Sequence, residues 1–230
     1  MFTFFAIHKN YKIMKKAFLA LFASSSLFCS CDNKSTSPSS EVKDTTTAIV
    51  AEEKKEKVKP DSATMMKNWQ EYMTPGPMHQ MLASWDGNWI GESSMWMSPD
   101  APPQVSALSV THSMILGGRY QIATHKGTMM GMPFEGTSTT GYDNAKKKFI
   151  NTWIDNTGTG MMYSEGTWDE ATKTIIYTGK CVASDRGDGS EIAVKQVLKI
   201  VDDKHQEFTM YMVEDDGKET KTLEIKYTKK

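Results

Sequence analysis

From residue 88 to the C-terminus, apolar and polar positions alternate in short runs. About ten such segments follow one another at the spacing expected of a β-sandwich or barrel. They lie near 88–97, 104–114, 118–127, 133–142, 147–155, 160–168, 173–183, 190–201, 206–213 and 219–228. Two alternate most clearly. In the eighth, Ile192, Val194, Leu198 and Ile200 share one face, with Glu191, Lys195 and Lys199 on the other. The tenth sets Leu223, Ile225 and Tyr227 against Thr222, Glu224 and Lys226, the period of two expected of a strand with one buried face. Turn-forming runs separate the segments: Asn156-Thr157-Gly158, Asp185 to Gly189, and Asp215-Asp216-Gly217. Arg186-Gly187-Asp188 within the second is read as a turn and nothing more.

Before residue 88 the period changes. Asp61 or Ser62 suits the cap of a short helix whose Met65, Met66, Trp69 and Met73 approximate one apolar face. Thr74-Pro75-Gly76-Pro77 breaks it, and Pro77 suits the first turn of a second helix. There Met78, Met81, Leu82 and Trp85 fall at i, i+3, i+4 and i+7, and Gly87 ends the run.

An internal repeat supports a meander. Residues 142–149 and 168–175 share the pattern aromatic-Asp-X-Ala-X-Lys-X-apolar, from Tyr142-Asp143 to Phe149 and from Trp168-Asp169 to Ile175. The copies lie two strands apart, so in an up-and-down sheet both turns emerge at one end. So many strands in one small domain curl or close, because closure removes exposed edges. The expected fold is all-β: a single antiparallel up-and-down barrel of about ten strands, lipocalin-like, with short N-terminal helices, over residues 61–230.

Composition divides the rest of the chain. Lys15 and Lys16 precede an apolar run over residues 17–28, too short to span a bilayer, and Ser30 stands directly before Cys31. This resembles the lipobox of bacterial lipoproteins, in which the cysteine thiol takes a diacylglycerol and becomes the mature N-terminus. Phe28 and Cys29 depart from the usual pattern. The expectation is a signal segment over 1–30, with Met14 the true start and Cys31 the lipidated residue. Residues 32–60 are Ser/Thr-rich and then Glu/Lys-rich, with no aromatic residue. Such composition buries too little to offset the entropy of ordering, so 31–60 is expected to be a disordered tether. The chain should therefore be exported and held at a bacterial envelope membrane by its lipid, with the barrel periplasmic.

Several motifs together bring in a family. The run from Met78 to Trp89, Leu116-Gly117-Gly118-Arg119-Tyr120 and the segment from Gly131 to Asp143 resemble domain-of-unknown-function family 1579. Trp153-Ile154-Asp155 and Asp216-Gly217-Lys218-Glu219 extend the likeness. It covers roughly Trp69 to the C-terminus; it implies a barrel and supplies no activity. Gly87-Asn88-Trp89 is also similar to the Gly-X-Trp opening of lipocalins and of nitrobindin-like haem barrels. In such barrels a Trp opening the first strand plugs the closed end.

Charge and chemistry narrow the function by exclusion. With a net charge of −1 and interspersed Lys, Arg, Asp and Glu there is no footprint for nucleic acid. Cys181 stands alone in the barrel region, so no disulfide framework forms there. His79, His112, His125 and His205 show no zinc spacing, although His125 and His205 are candidates for a haem ligand. Met95-x-Met97, Met129-Met130-x-Met132, Met161-Met162 and Met210-x-Met212 offer soft thioethers for copper(I), against the plainer use of Met to fill core gaps. Glu135, Asp155 and Glu165 lie on central strands but form no catalytic motif. No nucleophile elbow, phosphate loop or dinucleotide fingerprint occurs. The leading expectation is non-catalytic binding of a small, largely apolar ligand inside the barrel, lined by Tyr120, His125, Trp153 and Glu165, with no cofactor named. The rival is a haem or metal site, or an unrecognised enzyme, within the same barrel.

Overall fold

The structure is a computed structural model that describes residues 59–230. Cys31, the signal segment and residues 31–58 of the tether lie outside the described residues. Two helices, α1 (Ser62–Met73) and α2 (Pro77–Ser84), precede ten strands. These are β1 (Gly87–Met95), β2 (Gln104–Ile115), β3 (Tyr120–Met129), β4 (Met132–Asp143), β5 (Lys148–Asp155), β6 (Met162–Asp169), β7 (Thr174–Val182), β8 (Glu191–Asp202), β9 (His205–Val213) and β10 (Glu219–Lys229). Each strand pairs antiparallel with its sequence neighbour, and β1 closes the barrel on β10, with Trp89 opposite Lys229. The all-β up-and-down expectation holds.

The two turns of the internal repeat are the same turn. Asp143 Oδ1 accepts from the amides of Ala145 and Lys146, and Asp169 Oδ1 accepts from those of Ala171 and Thr172. Lys147 and Lys173, equivalent in the repeat, both take positive φ, 56° and 54°. Both turns emerge at the end of the barrel that α2 covers.

The helices differ in what they bury. α2 is set by Pro77 in its first turn and by Gly76, whose amide donates to His79 Nδ1 at 3.0 Å. Its stripe enters the barrel mouth: Leu82 and Trp85 join Trp89, Val110, Ala123, Phe149, Ile175 and Tyr177 in one buried cluster, with Met78 and Met81 packed against it. Gln121 fastens this plug, donating to the carbonyl oxygen of Leu82 at 2.6 Å and to Asp86 Oδ1 at 3.0 Å. α1 has the predicted cap, with Asp61 accepting from the Thr64 amide at 2.9 Å, but buries no residue. Its Met65, Met66, Trp69, Tyr72 and Met73 are all exposed. Asn144 Nδ2 holds the end of this segment, donating to the carbonyl oxygens of Glu71, Tyr72 and Thr74.

Candidate functional site

Pairing register fixes which side chains face the interior. His125 on β3 lies opposite Gly136 on β4, which lies opposite Asp155 on β5. Trp153 faces inward with Asp155, two residues on, because side chains alternate along a strand. A Cβ on Gly136 would stand 2.4 Å from the Trp153 ring, so the glycine is what lets the indole lie across β4. The indole then meets the His125 imidazole edge to face, with centroids 5.0 Å apart, stacks near Phe134 at 6.3 Å, and donates from Nε1 to Asp155 Oδ2 at 2.6 Å. Tyr227 of β10 approaches the other side of His125, 6.4 Å between centroids.

His125 is 9% exposed. Its imidazole has no hydrogen-bond partner among the described residues, and burial, with His112 nearby, pushes its pKa down to about 4. It is a neutral ring at physiological pH. Tyr177 and Tyr227 are similar: burial alone raises both phenols, and neither hydroxyl has a protein partner among the described residues. These polar tips point into the barrel without satisfying one another, whereas the fully buried side-chain atoms left without a partner among the described residues are Ser190 Oγ and Gln206 Nε2.

Around and above them the interior is soft and apolar. Met162 of β6 and Met210 of β9 bring their sulfurs to 3.8 and 3.9 Å from Gln196 Nε2, while Gln196 Oε1 takes a long bond from Ser164 Oγ at 3.4 Å. Met95, Met129, Met212 and Leu223 complete the rim away from α2, and each remains half-buried although it faces inward. Of the methionines singled out for copper, Met97, Met130, Met132 and Met161 are exposed. Cys181 also faces inward, opposite Ile192, and burial raises its thiol pKa. Among the described residues no three of His, Cys, Asp and Glu gather as a metal site.

Two of the four expected lining residues are corrected. Glu165 stands on the outer wall, because its neighbours Ser164 and Gly166 take the buried inner positions. It accepts from Lys148 Nζ at 2.9 Å, Lys146 Nζ at 3.1 Å and Tyr163 Oη at 2.9 Å, and this cluster, led by Lys148, holds its pKa down to about 2. Tyr120 is 43% exposed and also outside, its ring covering Gly141, where an added Cβ would lie 2.7 Å away. His125 and Trp153 do line the interior and touch. His205, the other haem candidate, is exposed and hydrogen-bonds Asp202 at 2.9 Å on the outside of a turn. The sequence reading missed Gln196, Tyr177 and Tyr227. The alternation on β7, β8 and β10 places Tyr177, Gln196 and Tyr227 on inner faces, so that signal was there to be used.

A groove of about 540 Å³ lies outside the barrel between α2 and the nearby strand turns, floored by Met78, Met81, Trp85, Trp168 and Ile200. It is part of the plugged end rather than of the lumen.

No curated protein matches the chain. Among solved structures it is similar to Rv2717c from M. tuberculosis, with 16% identity and a TM-score of 0.50, over 68% of this chain and 99% of that one. At that identity the likeness shows the fold alone. The model of the family described as "Protein of unknown function (DUF1579)" matches residues 74–229, from the break before α2 to the end of β10, and the chain belongs to that family.

Proposed function

We propose that the barrel is a non-catalytic receptor for a small, largely apolar molecule, presented at an envelope membrane by a lipid on Cys31. One observation carries the binding half. Side chains that face the inside of a closed barrel stay half-buried at the rim away from α2, and below them His125, Tyr177 and Tyr227 offer polar tips without partners. Apolar walls with a few placed polar groups are the usual make-up of a small-molecule pocket. The anchoring half rests on the sequence: Lys15 and Lys16, the apolar run 17–28 and Ser30-Cys31. The segment 32–60 then serves as a spacer between bilayer and barrel.

The test uses the full chain purified from its native envelope, with solvent extraction and mass spectrometry of what is released. A stoichiometric apolar molecule is expected from wild-type protein, and Cys31→Ala protein should leave the membrane fraction. Protein that carries nothing and whose melting is unmoved by fatty alcohols, esters, acids, haem or copper would count against the pocket. Retention of Cys31→Ala protein in the membrane would count against the anchor. The bare, neutral His125 imidazole favours a second reading, haem or a soft metal ion, and the visible absorption spectrum of the same preparation separates it from the first.

A further inference from the structure

We propose that the lumen selects uncharged ligands whose head group accepts hydrogen bonds, such as an alcohol, ester or ketone, and rejects carboxylates. The inference rests on the receptor reading above and names the ligand class of that same site.

Charge inside and charge at the entrance point the same way. The strand lysines around the open half are Lys126, Lys180, Lys195 and Lys221. All stand on the outer wall, ion-paired with Glu135, Glu191, Glu219 and Glu224. The inward lysine, Lys229, sits at the other end and donates to the Ser84 carbonyl oxygen at 2.8 Å. No cation therefore faces the open half of the lumen among the described residues, and the charged group at its rim is Asp155, already accepting from Trp153. A carboxylate entering here would lose its water with no counter-charge, which protein interiors penalise heavily.

The loops at this mouth repeat the sign. Between β1 and β2, β7 and β8, and β9 and β10 lie Asp100, Asp185, Asp188, Glu214, Asp215 and Asp216, against Arg186 and Lys218. Such a field lowers the local concentration of anions. The interior offers hydrogens instead: the hydroxyls of Tyr177 and Tyr227 have no acceptor among the described residues, and burial keeps both protonated. Neutral His125, nine-tenths buried, adds one N–H and one lone pair. A hydroxyl or carbonyl oxygen satisfies these donors without bringing a charge.

The test is calorimetric titration of the full chain with dodecanol, methyl dodecanoate and dodecanoate, below their aggregation limits, at fixed pH and salt. The ester and alcohol are expected to bind at least about tenfold tighter than the carboxylate. Tyr177→Phe should narrow that gap, and Met212→Lys, which adds a cation at the half-buried rim, should strengthen dodecanoate selectively. Dodecanoate binding as tightly as the ester would overturn the neutral-ligand inference and leave the receptor reading standing. No binding by any of the three would remove both.

Discussion

The two ends of the barrel use the same strands and reach opposite outcomes. At the α2 end the inward residues are large and apolar, and the helix supplies Leu82 and Trp85 as a lid that they close on. Several polar groups caught there are paired: Gln121 reaches Leu82, Asp86 and His112, and Trp89 Nε1 donates to the Trp85 carbonyl oxygen at 2.8 Å, while Gln206 Nε2 is buried without a partner among the described residues. Toward the other end methionines replace aromatics at many inward positions, glycines thin the wall at Gly127, Gly136 and Gly179, and the His125 imidazole lies unpaired against Trp153. One end has its packing completed by its own chain. Under the proposed receptor reading, a ligand would complete the other.

The sharpest way to break the comparison is at the plug. Trp89 is 1% exposed, packs edge-on to His112 at 5.9 Å, and lies beneath the Lys229 ammonium at 5.7 Å. Removing such a side chain leaves a cavity that rigid neighbours fill poorly, at about 3–5 kcal/mol. Trp89→Ala should therefore show a large drop in urea midpoint. Its affinity for a lumen ligand, measured where the variant is still folded, should be little changed. A stability loss below about 1 kcal/mol would place the ring in water and undo the closed-end assignment.

The open end should reveal itself through pH. Burial holds the His125 pKa at about 4 in the barrel, against 6.5 for a free imidazole. Between those values the unfolded chain carries more protons than the folded one, so stability rises with pH across that window. It is lost as pH falls from about 6.5 towards 4, by on the order of 3 kcal/mol when the loss is complete. His79 and His112 are also shifted down by burial, so the useful quantity is a difference. Wild-type protein should lose more stability than His125→Asn between pH 7 and pH 4.5 in denaturant titrations. Parallel pH profiles for the two proteins would mean that the imidazole is already hydrated.

Much of this was legible in the residue pattern. All ten strands start and end within two residues of where alternation put them, because turn chemistry and a half-buried face both leave marks in sequence. The inner face of β8 follows from Ile192, Val194, Leu198 and Ile200, and Gln196, which shares that face, is hidden among them by its polarity. The choice of lining residues fared unevenly because it went by chemical type. Tyr120 and Glu165 look like site residues, but a shift of one position along a strand reverses the face, and deciding it needs the parity of the buried neighbours. α1 shows a different limit. Its period predicts a helix and an apolar stripe, yet the stripe is exposed, since periodicity reports that a face is apolar and not that anything covers it.

The smallest expected effect tests that parity most directly. On β6 the inner positions are Met162, Ser164, Gly166 and Trp168, and the outer ones Tyr163, Glu165 and Thr167. Gly166 cannot trade places, because a side chain there would stand 2.6 Å from the Tyr177 ring. Glu165 is held by exposed lysines, and ion pairs of that kind contribute little to stability and lie apart from the lumen. Glu165→Gln should then leave affinity for methyl dodecanoate within about a factor of two and shift the melting midpoint less than Trp89→Ala. Trp153→Ala, on the neighbouring strand but inside, should weaken the ester clearly, because the indole forms part of the wall. The reverse ranking, with Glu165→Gln weakening the ester more than Trp153→Ala, would mean that β6 is shifted by one residue and that its inner and outer faces have been exchanged.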